Sequence, residues 1–205
     1  MKKIVILLVL LTAFAVSAQE QETLIKGGIE SGGFGAPSIK FTSINDEFGI
    51  FLGGYGGWLI NHQFLIGGGG YGLVTKHNAA PIVESTLNNG NDLYLHMGYG
   101  GLVLGYFFTP EKIFHICTSL LVGAGGAGYS RNYGMDDNNY DNDRMTTDGF
   151  FVLEPTIQGE LNVTTFFRIG VGISYRYISG TNLMNISNSE LSGPSAVIDL
   201  KFGKF

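Results

Sequence analysis

The chain has 205 residues, of which 32 are Gly, 15 Phe and 10 Tyr. Lys and Arg total 12 and Asp and Glu 17, so the net charge is −5, and charged residues make up only 14%, against about 25% in an average soluble domain. Low charge with ample apolar residues excludes a disordered chain, the lack of a basic cluster excludes a nucleic-acid partner, the single Cys excludes an internal disulfide, and irregular Gly spacing excludes collagen.

The chain opens Met1-Lys2-Lys3, followed by an apolar run from Ile4 to Val16 and the small residues of Val16-Ser17-Ala18. A cationic start, a short apolar stretch and a small-residue cleavage site describe a secretory signal peptide, with cleavage expected after Ala18. The alternative, a membrane anchor, needs about 20 apolar residues, and this run is shorter. Loss of Lys2 and Lys3 takes the charge from −5 to −7. Residues 19–30 are expected to form a periplasmic N-terminal segment and residues 31–205 one domain. No later stretch has 18 consecutive apolar residues, so a membrane could be crossed only by strands closed into a barrel.

After residue 30 the pattern has a period of two. Ser31 to Ile44 reads as a first strand, with Pro37 tolerable at an edge or bulge. Three Gly-rich stretches follow, Phe48 to Ile60, Phe64 to Thr75 and Leu93 to Phe108; they read as strands whose faces are not assigned. Gly67-Gly68-Gly69-Gly70 and Gly123-Ala124-Gly125-Gly126 precede no Gly-Lys-Ser/Thr and no helix, so they are thin strand positions rather than phosphate loops. Phe114, Ile116, Thr118, Leu120 and Val122 oppose His115, Cys117 and Ser119. Phe151 to Val163 sets Leu153, Ile157 and Leu161 against Glu154, Gln158 and Glu160. Phe166 to Tyr177 sets Ile169, Val171 and Ile173 against Arg168 and Arg176, and the last strand sets Ala196, Ile198, Leu200 and Phe202 against Asp199 and Lys201. Strands alternate faces in this way; helices do not.

The count is eight strands, an even number that closes an antiparallel barrel. Tight turns at 60–63, 109–112 and 162–165 alternate with long polar connections at 76–92, 131–148 and 179–193. Short turns at one end and long loops at the other are the habit of inserted outer-membrane barrels; the short Asn45-Asp46-Glu47 connection is the exception. Aromatics fall in two bands. Trp58, Phe64, Phe107, Phe108, Phe114, Phe166, Phe167, Phe202 and Phe205 lie near the short turns, and Phe48, Tyr71, Tyr94, Tyr129, Phe150, Phe151, Tyr175 and Tyr177 near the loops. Rings at headgroup depth would form such girdles.

On these residues the chain resembles the small eight-stranded outer-membrane β-barrel proteins of Gram-negative bacteria, the OmpA/OmpX-like class. The resemblance covers residues 31–205 and rests on the Val16-Ser17-Ala18 signal, the alternating strands and the segment from Ala196 to Phe205. It implies an all-β fold, an eight-stranded antiparallel up-and-down transmembrane barrel in the outer membrane, with membrane lipid and the barrel assembly machinery as partners. It also implies an assembly signal in Ile198, Leu200, Phe202 and the terminal Phe205. Gly203, Lys201 and Asp199 stand at the alternate positions before Phe205, so Gly203-Lys204-Phe205 reads as a tail or a bulge that resets the register.

With the apolar face toward lipid, Glu154, Glu160, Arg168, Arg176, Asp199 and Lys201 point inward and must pair. The alternative places them as solvated charges on a soluble sheet. Eight strands leave a lumen that side chains fill, so a wide pore is not expected. In the acidic loop 136–148, Asp137, Asn139, Asp141 and Asp148 match calcium-loop positions, but Asn142 stands where Gly is wanted and flanking helices are missing. Four histidines lie apart, with His115 taken to face the region of Tyr106. His115-Ile116-Cys117-Thr118-Ser119 places a base near nucleophiles without an evident carboxylate. No motif asks for a cofactor. The expected role is non-enzymatic: long outer loops serving adhesion, surface recognition or envelope maintenance, for an extracellular ligand that the residues do not name. A lipid-acting barrel enzyme and a secreted soluble β-sheet ligand-binding protein stand as alternatives.

Overall fold

The computed structural model describes residues 30–131 and 144–205. The expected signal peptide, the segment after it except Glu30, and Asp137, Asn139, Asp141 and Asn142 lie outside the described residues.

Eight antiparallel strands close on themselves in sequence order. They are β1 (Ser31–Ile44), β2 (Glu47–Ile60), β3 (Phe64–Leu73), β4 (Tyr94–Phe108), β5 (Phe114–Ser130), β6 (Arg144–Asn162), β7 (Phe167–Ser179) and β8 (Gly193–Lys204). Closure pairs β1 with β8, so no edge strand is left open. The β1–β2 hairpin turns on Asn45 (φ 50°) and Asp46 (φ 62°). Two left-handed residues match the twist of the flanking strands, and Asn and Asp adopt that conformation more readily than most side chains.

Several sequence expectations need correction. The connection expected at 131–148 is shorter, because β5 runs on through its glycines to Ser130 and β6 already begins at Arg144. The other two long connections are not purely irregular. Helix α1 (Pro81–Asn88) lies between β3 and β4, with Pro in its first turn and Asn89 closing it in the left-handed region. A single turn, α2 (Asn188–Leu191), lies between β7 and β8 and is fixed by a reciprocal Ser187–Glu190 capping box. Register places Tyr106 opposite Thr118, three residues from the expected His115. Strand β8 carries no bulge: its pairing with β7 and β1 keeps one register through Phe202 and Lys204 respectively. Pro37 is not at an edge. It sits inside the closed wall, where the β1–β8 ladder makes no pair between Gly35–Phe202 and Ser38–Asp199. Pro155 interrupts the β6–β7 ladder in the same way, as a residue without an N–H must.

The barrel is apolar on the outside and mixed within. Leu52, Ile66, Leu102, Leu104, Ile157, Val171, Ile173, Ile198 and Leu200 are all exposed on the outer wall. Inward from β2–β5 point Phe51, Leu59, Leu65, Leu95, Met97, Val103, Phe107 and Leu121, all buried. Both faces of those strands are therefore apolar, and the period-two contrast vanishes there. The inward glycines make room for the rings. At Gly125 an added Cβ would sit 2.6 Å from Tyr99 Cβ and 2.7 Å from the Phe150 ring, closer than carbon atoms approach. The aromatic bands are thinner than expected. Trp58, Phe64, Phe108, Phe114, Phe166 and Phe202 are exposed at the short-turn end, and Phe48, Phe151, Tyr175 and Tyr177 at the loop end. Phe107, Tyr71, Tyr129 and Phe150 instead fill the interior.

Candidate functional site

The polar side chains of β1 and β6–β8 meet on one side of the lumen. Glu154, Glu160, Arg168, Arg176, Asp199 and Lys201 are each no more than 6% exposed. Glu154 is the hub of the upper group. Its Oε2 accepts from Lys40 Nζ at 2.7 Å and Tyr99 Oη at 2.9 Å, and its Oε1 from Ser174 Oγ at 2.8 Å. The Lys40 ammonium also stands 3.3 Å from the centroid of the Tyr71 ring, a cation–π contact that offsets part of its desolvation.

Lower in the barrel, Lys201 pairs with Glu160 and donates to Gln158 Oε1 at 3.3 Å. Asp199 Oδ2 accepts from Gln158 Nε2 at 2.6 Å and Tyr55 Oη at 3.0 Å. His115 Nε2 lies 3.2 Å from Glu160 and its Nδ1 3.3 Å from the Lys112 carbonyl. Both ring nitrogens are thus engaged by groups other than Cys117 or Ser119, and the carboxylate missing from the sequence reading is Glu160, opposite His115 across β5–β6. This leaves no free imidazole nitrogen to activate a nucleophile. Arg168 stacks its guanidinium 3.9 Å from the Phe205 ring, and Phe205 also meets Phe34 at a centroid distance of 5.5 Å. The terminal aromatic therefore closes the short-turn mouth from within, whereas Ile198, Leu200 and Phe202 lie on the outer wall. Arg176 lies at the other end, its Nε donating to the Leu191 carbonyl at 2.9 Å and its guanidinium 4.7 Å from the Phe51 ring.

Sequence reasoning missed Lys40, Tyr55, Tyr71 and Tyr99. Ser38, Lys40 and Thr42 alternate with Ile39 and Phe41, a polar face that would have placed Lys40 inward. The lumen is filled: the cavity bordered by Lys40, Tyr55, Glu154 and Asp199 measures about 20 Å³, room for a single water.

The long-loop mouth is capped. Val83 of α1, Leu93, Leu183 and Leu191 are buried, and Tyr129 Oη donates to the Met184 carbonyl at 3.0 Å. Asp148, the last position of the expected calcium pattern, accepts from the Asn182 amide and from Thr181 Oγ1. Among the described residues no three His, Cys, Asp or Glu side chains gather as a metal group. Glu190 accepts from the Ser187 amide at 2.6 Å and hydroxyl at 2.7 Å, bonds that hold its carboxyl below the usual range. A depressed carboxylate contributes stability above its unfolded pKa, near 4.3, and loses it as pH falls through the lower folded value. Amide exchange over 187–191 should therefore quicken only below that range, and Glu190→Gln should flatten the profile.

No family model matches the chain, and no curated protein matches it. Among solved structures it is similar to Neisserial surface protein A, at 15% identity over 87% of this chain and 100% of that one, with a TM-score of 0.51. It is also similar to the N-terminal β-barrel domain of Pseudomonas aeruginosa OprF, at 11% identity over 86% and 99% with a TM-score of 0.48. A third is Ail of Yersinia pestis, at 13% identity over 88% and 100% with a TM-score of 0.43. The likeness is one of fold: this chain has the closed, all-antiparallel eight-stranded barrel of outer-membrane proteins.

Proposed function

We propose that the chain is an integral outer-membrane barrel, exported by a cleavable signal peptide, that acts through its capped outer surface rather than by catalysis or conduction. One observation carries this reading: apolar side chains line the outer wall while buried charges sit on the axis. That is the inverse of a water-soluble protein, and only a closed barrel satisfies strand backbone in lipid. The 20 Å³ cavity argues against an open channel. The engaged nitrogens of His115 argue against a nucleophile activated by that residue. The fold shared with a protein described as a Neisserial surface protein supports a surface role. Within it, adhesion, recognition or envelope maintenance falls to the loop cap. Outward Ile198, Leu200 and Phe202 are the candidates for capture by the assembly machinery, and Phe205 serves as an inner plug. The test is extraction and gel mobility. The mature chain should need detergent for release from outer membranes and run faster unheated than boiled. Release by salt or alkaline carbonate would overturn the reading, and stepwise conductance in planar bilayers would overturn the closed lumen.

A further inference from the structure

A second polar pocket lies in the cap, apart from the charges of the lumen. A cavity of about 10 Å³ opens where three segments meet. The β1–β2 turn contributes Asn45 and Glu47, the stretch before α1 His77 and Asn78, and the β7–β8 loop Asn185, with Tyr129 on one side. His77 is the buried member, at 3% exposure. Its Nδ1 lies 3.0 Å from the Thr75 carbonyl. A carbonyl only accepts, so Nδ1 carries the proton and Nε2 keeps its lone pair. Nε2 is buried with no hydrogen-bond partner.

An imidazole whose Nδ1–H is pinned by a carbonyl is the form in which histidine binds metal, because the outer bond fixes both tautomer and ring orientation. A volume near 10 Å³ admits one water-sized species, which rules out an organic ligand. The facing groups are one nitrogen lone pair, one carboxylate and amide oxygens. Calcium and magnesium prefer oxygen alone, whereas a nitrogen–oxygen set suits zinc. We propose that this pocket binds Zn²⁺ through His77 Nε2 and the Glu47 carboxylate, with the Asn side chains completing the shell. The ion would tie the β1–β2 turn, the α1 loop and the β7–β8 loop into one cap. With two strong ligands the site is weaker than one built from three or four His or Cys.

The test uses the untagged full chain, folded in detergent micelles and titrated with ZnCl₂ by calorimetry and thermal melting. One ion per chain should bind and raise Tm, and amide exchange over 181–192 should slow; Mg²⁺ should do neither. Glu47→Gln, at an exposed position that leaves the fold intact, should weaken binding at least tenfold, as should His77→Gln. The exposed His62–Glu30 pair at the opposite end is the control, and His62→Gln should change nothing. Absence of binding up to millimolar Zn²⁺, binding unaltered by both pocket variants, or binding lost with His62→Gln would overturn the site and leave the pocket to a water molecule.

Discussion

Glu154→Leu should destabilise the barrel by about 3–5 kcal/mol, the cost of breaking a buried ion pair from one side. The substitution strands the Lys40 ammonium, 3% exposed, and removes the acceptor of Tyr99 Oη and Ser174 Oγ. Removing both charges is a different matter. Desolvation of two ions consumes most of what their attraction returns, and replacing a buried pair by apolar groups is often neutral. Lys40→Met combined with Glu154→Leu should therefore recover most of the loss, leaving the cost of two hydroxyls without their acceptor. Urea unfolding of the four proteins in phospholipid vesicles yields the coupling directly, as the departure of the double variant from the sum of the singles. The result also bears on the closed lumen, since this pair borders its 20 Å³ cavity. A single-variant loss under about 0.5 kcal/mol, the usual size for an uninvolved surface site, would mean that water reaches Lys40 and that the lumen is open.

How much of this could be read from residues alone follows from where polarity contrasts lie. Strands β6–β8 carry charges on one face and aliphatics on the other, so Arg168, Arg176, Asp199 and Lys201 could be assigned a side before any coordinates. Strands β2–β5 carry apolar groups on both faces, lipid-sized outside and ring-filling inside, so alternation loses its meaning there and Phe107, Tyr71 and Tyr99 could not be placed. Partners were less legible than faces. Glu160 meets His115 because residues 45 apart in the chain lie opposite across β5–β6, and a guessed turn geometry put β5 three residues out of register with β4. The two helices differ in the same way. Ser187-Asn188-Ser189-Glu190 spells a capping box, a signal present in the chain and overlooked. Helix α1 begins at Ala80 with no side-chain cap, and little before Pro81 announces it. The inward turn of Phe205 depends on an unbulged β8, which no local pattern dictates.

The sharpest trial of the membrane reading is a charge on the outer wall. Ile173 stands midway along β7, 64% exposed, flanked across the ladders by Ile157 and Ala196. Ile173→Arg should cost about 2–4 kcal/mol in lipid vesicles, the penalty for arginine near the bilayer midplane on a barrel's lipid face. The matched control is Ile82→Arg on α1. That residue is similarly exposed, at 59%, but sits in the cap beyond the strands, where a surface substitution should stay within about 0.5 kcal/mol. Exposure alone cannot separate these two sites; only the solvent each one meets can. If both substitutions cost little, the apolar wall faces water, and the closed barrel would have to be covered by another protein surface instead of acyl chains. If Ile173→Arg alone is costly in vesicles, and its penalty shrinks as the charge is moved along β7 toward Tyr177, the wall is immersed in hydrocarbon and the strand ends mark its two boundaries.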